Sequence, residues 1–235
     1  MITCTVVATV PWDGKDVDGT IHMNSAKSEV QSRVDSALAR NDFTAAVEII
    51  RSYILSLGVD VFSVAVHDQF EEGDGIQKYI ETFVSTVSRV RIVKSLTLQL
   101  DEVDLGTDNW VCWPATAPVC FDPNESDEAH NDFVNKIQGP EGYAPYALQG
   151  FQRMKVAFDW YRLLTSAERS IGNRQVAKEF AYRLVVVRFY PFLRFACDEL
   201  MATGRIPRTL CVFAEEYGGD FFYCVTHESL GTSSF

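Results

Sequence analysis

The chain has 235 residues, 47% of them hydrophobic and 12% aromatic, and carries a formal charge of −11. That composition belongs to a folded protein with a sizeable core and excludes a disordered chain. The acidity argues against a surface built for nucleic acid or an anionic membrane, and it is unevenly placed: residues 1–126 hold 9 Lys+Arg against 19 Asp+Glu, residues 127–235 hold 12 against 13.

In chain order, residues 2–10 are β-branched and end at Pro11, which predicts a first strand. Residues 25–40 follow as an amphipathic helix with Val30, Val34 and Leu38 on one stripe. Phe43, Val47, Ile50, Ile54 and Leu57 line a second helix that stops at Gly58, and the short Asn41-Asp42 link folds the two into a helical hairpin. The run DVFSVAVH at 60–67 reads as a second strand. Ile76, Ile80, Phe83 and Val87 then mark a helix, and alternation from Ile92 to Leu100 marks a third strand. Residues 101–126 hold three prolines, two tryptophans and six acidic residues, which predicts an exposed loop or connection.

Residues 127–138 read as a short helix. Pro145 opens a longer one with Ala147, Phe151, Met154, Phe158 and Tyr161 on a stripe. Thr165 and Glu168 have capping-box spacing. Residues 173–204 are apolar nearly all round and predict a central buried helix, N-capped by Asn173, ended at Gly204 and kinked or split by Pro191. Two apolar runs at 209–214 and 221–226 flank Gly218-Gly219, a hairpin signal. The expected class is α+β: a mixed or antiparallel sheet with a predominantly helical C-terminal half. It divides as an acidic part at 1–105, a Trp/Pro-rich loop or linker at 106–126 and a helical part at 127–235, which are compatible with one continuous domain.

The residues TLCVFAEEYGGDFFYCV, 209–225, are similar to the strand–Gly-Gly-Asp–strand signature of the SUKH superfamily of immunity and regulatory proteins, over under a tenth of the chain. A two-glycine hairpin accounts for the same residues.

Chemistry-bearing motifs are absent from the sequence. The histidines (His22, His67, His130, His227) have no metal-ligand spacing, and the acidic run from Asp122 has Asp127 and Phe133 where a calcium loop needs Gly and Glu. No nucleophile elbow and no phosphate-binding glycine loop occur. No catalytic residue, metal or cofactor is therefore expected. The pairs Glu71/Glu72 and Glu215/Glu216 read as solvated loop or hairpin-tip residues. Six cysteines without C-x-x-C spacing read as free thiols in a reducing compartment, with Cys112 and Cys120 as the pair that could bridge. The first residues lack a basic stretch and no apolar run reaches 18, so a cytoplasmic, non-membrane protein is expected.

Three functions are carried forward. The first is a non-enzymatic binding module of immunity, inhibitor or adaptor type. In it an acidic surface, with Trp110, Trp113, Glu71, Glu72, Asp101 and Glu102 as contacts, engages a basic protein partner. The second is a self-associating structural or coat-like protein whose Arg174, Lys178 and Arg188, close together on one helix, contact RNA. The third is an enzyme with a dispersed site.

Overall fold

The computed structural model describes residues 21–71, 73–101, 110–120, 136, 144–216 and 222–225. The strand expected at 2–10, the helix expected at 127–138 (Lys136 apart) and the Gly218-Gly219 turn lie outside them. Seven helices are present among the described residues: α1 Ile21–Leu38, α2 Phe43–Ser56, α3 Asp60–Ser63, α4 Asp74–Val87, α5 Gln152–Leu163, α6 Ser166–Arg169 and α7 Arg174–Ala202. Five strands accompany them: β1 Ser95–Asp101, β2 Trp110–Ala117, β3 Tyr146–Leu148, β4 Cys211–Glu216 and β5 Phe222–Cys224. The class is α+β, as expected. No helix among the described residues is long and apolar enough to cross a membrane.

The chain forms two compact units, each from two stretches: residues 1–69 with 151–188, and residues 70–150 with 189–235. Among its described residues the first unit is helical. Asp42 caps α2 by accepting from the Ala45 N–H at 2.9 Å, and Ala46, Ile50 and Ile54 bury one stripe of that helix beside α1. Gly58, at φ 67°, ends α2 in the left-handed region that glycine adopts freely. The strand expected at 60–67 is instead α3 and a turn. Its buried residues are Phe62, Ala65 and Val66, a helical spacing, while Val64 is 59% exposed; the β-branched composition pointed the wrong way.

Helix α5 begins at Gln152, not at Pro145. Gly150 (φ 100°) and Phe151 (φ 56°) turn the chain there, after the short β3. Phe151 is buried, and a left-handed phenylalanine costs about 1–3 kcal/mol that its surroundings must offset. They do so with polar groups. The Phe151 N–H donates to the Gln69 carbonyl at 3.3 Å, and the Asp68 carboxylate caps α5 by accepting from the Met154 N–H at 2.9 Å. Thr165 and Glu168 form the capping box of α6 that their spacing predicts.

The second unit holds the sheet, in the order β3-β2-β1-β4-β5. Among the described strands, only the β1–β4 pair is parallel. Leu96, Leu98 and Leu100 of β1 are fully buried on one face, and Ser95 and Thr97 are buried on the other. The expected hairpin is the antiparallel β4–β5 pair. The expected loop at 101–126 is corrected, because residues 110–117 are an inner strand of the sheet. Its Pro114 lies beyond Cys112, where pairing with β3 stops, and there a missing N–H costs no ladder bond on that side. Helix α4 buries Ile76, Ile80, Phe83 and Val87, as its spacing predicts. Helix α7 runs unbroken through Pro191, so the chain is not split there. Asn173 stands at the expected N-cap position of α7, its carbonyl accepting from the Ala177 N–H at 2.8 Å, while its side-chain amide donates to the Leu57 carbonyl at 3.0 Å.

The cysteines differ from expectation. Cys120 and Cys211 form a disulfide, while Cys112 and Cys197 are free and buried. Neither Cys112–Cys120 pairing nor a full set of free thiols is found. Burial pushes the Cys197 thiol up to about 12 and the Cys112 thiol up as well, so both stay protonated and unreactive.

Candidate functional site

Charge divides between the two units more sharply than between the two halves of the sequence. The first unit has 13 Lys+Arg against 12 Asp+Glu, the second 8 against 20. The two sets of sequence-derived contact residues fall on different sides of that division.

In the acidic unit, strand geometry decides the fate of the two tryptophans. Trp110 is 1% exposed, so the interface role expected of it is corrected: a buried ring offers no surface to a partner. Trp113 is 38% exposed, the single exposed residue of β2. Register places it opposite Gln99 of β1, and Gln99 opposite Glu215 of β4, so the three form a row across one face. Asp101 lies on the same face two residues beyond Gln99. The Trp113 Nε1–H donates to the Asp101 carboxylate at 3.3 Å, and the Gln99 amide donates to the Glu215 carboxylate at 2.9 Å. The result is an indole held by one carboxylate, with a second carboxylate two strands away.

Of the other expected acidic contacts, Glu71 is exposed and its backbone N–H bonds to the Gln149 carbonyl at 3.0 Å. Glu72 and Glu102 lie outside the described residues. Gln99 and Glu215 were missed. Glu215 was read as a hairpin-tip residue, whereas it stands within β4; only the β1–β4 register brings it into the row.

In the near-neutral unit, Arg174 and Lys178 are half-buried and rest on rings. The Arg174 guanidinium lies 5.4 Å from the centre of the Trp160 ring, and the Lys178 ammonium lies 5.6 Å from Phe158 and 5.7 Å from Tyr182. Arg188 is different. Its guanidinium donates to the Val66 carbonyl at 3.0 Å and to the Asp68 carbonyl, and it lies 6.0 Å from the Phe151 ring. Burial, with the charge of Arg51, lowers its pKa, yet a guanidinium stays ionised at neutral pH. Arg188 fastens the segment after α3 at Val66–Asp68, so its guanidinium is engaged with backbone carbonyls rather than presented for the expected RNA contact.

Arg174 also borders a groove of about 470 Å³ lined by Leu57, Asp60, Trp160, Ile171 and Asn173 among others. Among the described residues no group of three or more His, Cys, Asp or Glu is placed to hold a metal ion. The chain matches no protein-family model, that of the SUKH superfamily included, and no curated protein or solved structure shows significant similarity to it.

Proposed function

We propose that the protein is a non-enzymatic binding module whose acid-rich unit engages a basic protein partner through the Trp113 face of its sheet. The observation that supports this reading most is the exposed Trp113 ring beside Asp101, in the unit with 8 cationic against 20 anionic residues. A lysine or arginine of the partner stacks on the indole while Asp101 and Glu215 neutralise it. An exposed cation–π contact contributes about 0.5–1 kcal/mol, and the flanking carboxylates add attraction that salt screens.

The test is a titration of the full chain with a lysine-rich peptide, for wild type, Trp113→Ala and Asp101→Asn, at low and high salt. The reading expects each substitution to weaken binding severalfold and salt to weaken it further. Equal affinity in all three proteins would refute it. A second reading, a self-associating coat-like protein, is favoured by the Arg174–Trp160 and Lys178–Phe158 stacks alone; it expects a large particle carrying RNA in light scattering with absorbance at 260 nm.

A further inference from the structure

We infer that the groove beside Arg174 is a binding site for a single unpaired nucleobase, a function separate from the acidic face. Several observations meet there. The groove, at about 470 Å³, is within the size range of small-molecule sites. Its flat element is the Trp160 indole with the Arg174 guanidinium 5.4 Å from the ring centre, and aromatic and guanidinium planes are the two platforms on which unstacked bases rest. Leu57 and Ile171, the latter 57% exposed, supply apolar walls that a flat heterocycle would cover.

The polar groups suit the edge of a base better than a simple anion or a simple cation. Arg174 donates to the Glu168 carbonyl at 2.8 Å and, among the described residues, forms no ion pair, so it retains donors for a carbonyl or ring nitrogen. Asp60 is an acceptor in the first turn of α3, suited to an exocyclic amine or a ribose hydroxyl. The Asn173 amide nitrogen is taken by the Leu57 carbonyl, which leaves its oxygen as a further acceptor. A ligand with donors and acceptors around a flat ring satisfies all three, whereas a bare phosphate would face Asp60. The surrounding unit has 13 cationic against 12 anionic residues, so the acidity of the whole chain does not repel a nucleotide from this place.

The base can come from a free mononucleotide or from a single strand, and one experiment separates them. The full chain is titrated calorimetrically with adenosine monophosphate and with a short oligoadenylate. Wild type is compared with Arg174→Gln, Arg174→Lys and Trp160→Leu, each checked for an unchanged thermal melt. Trp160 also packs 6.3 Å from Phe62, so the two Arg174 variants carry the test if Trp160→Leu unfolds. Binding of either probe that falls about tenfold in Arg174→Gln, and also falls in Arg174→Lys, supports the inference, because lysine keeps the charge and loses the plane. Binding of the mononucleotide identifies a free nucleotide as the source; binding of the oligonucleotide alone identifies a strand. No binding of either at millimolar concentration, or binding that the Arg174 substitutions leave unchanged, overturns it.

Discussion

Trp110 and Trp113 stand three residues apart in one strand, so their side chains leave opposite faces of the sheet. Truncating them should therefore do different things. Trp110→Ala removes a ring that is 1% exposed and should cost about 3–5 kcal/mol, read as a lower midpoint in chemical denaturation. Trp113→Ala should leave that midpoint nearly unchanged while weakening the basic peptide. Comparable destabilisation by the two would contradict the burial pattern. A second residue-scale outcome concerns Glu81, whose carboxylate bonds to the Arg205 guanidinium at 2.9 Å. That hydrogen bond holds the Glu81 pKa below its ordinary value of 4.5. A lowered carboxylate pKa adds stability above the unfolded value, and that stability is lost as pH falls through the folded one. The melting difference between wild type and Glu81→Gln should therefore be constant above about pH 4.5 and shrink below it. A difference unchanged at lower pH would dissociate the pair from stability.

At the scale of elements, the sheet contains a feature that ordinary folding does not favour. The Ser95 and Thr97 hydroxyls are buried on one face of β1 with no hydrogen-bond partner among the described residues. An unmet buried hydroxyl costs about 1–3 kcal/mol, so Thr97→Val, nearly the same shape, should stabilise the protein by about 1 kcal/mol in urea titrations. Destabilisation would reveal a partner for the hydroxyl. The Cys120–Cys211 disulfide, spanning 91 residues, ties the end of β2 to the start of β4. Cys120→Ser should cost about 4 kcal/mol, and an unchanged melt on adding reductant would argue that the bridge carries no stability.

Elements with strong local signals were legible. The α2 stripe, the α4 stripe, the α6 capping box and the alternation of β1 all follow from spacing alone. Residues 60–67 were not, because a β-branched run fits a strand and a buried helical turn equally in composition; the burial of Phe62, Ala65 and Val66 distinguishes them only after folding. Residues 110–117 were obscured by Pro114 and Pro118, although a proline past the end of a neighbouring strand is tolerated. The site was legible in parts. Trp113 was named from an expected loop that is in fact a strand, and Asp101 from charge; their contact needs the β1–β2 register, and Glu215 needs a parallel pairing over more than a hundred residues. The groove joins residues near position 60 to others near 160 and 174, a combination that no local pattern announces.

At the scale of the molecule, what organises the account is the partition of charge. One unit is close to neutral, with Arg169, Arg174 and Lys178 resting on aromatic rings; the other has an excess of acidic residues and presents Trp113. In the proposed function, long-range attraction would bring a basic partner to the acidic unit, and the indole with its carboxylates would fix where it docks. The most direct measurement is a nuclear magnetic resonance titration of the full chain with a lysine-rich peptide, repeated on a variant with Glu71, Glu72, Asp101 and Glu102 replaced by their amides. The account predicts shifts confined to residues 70–150 and 189–235, centred on the Trp113 indole N–H, and much reduced in the variant. Shifts spread over both units, or an unchanged response in the variant, would contradict it.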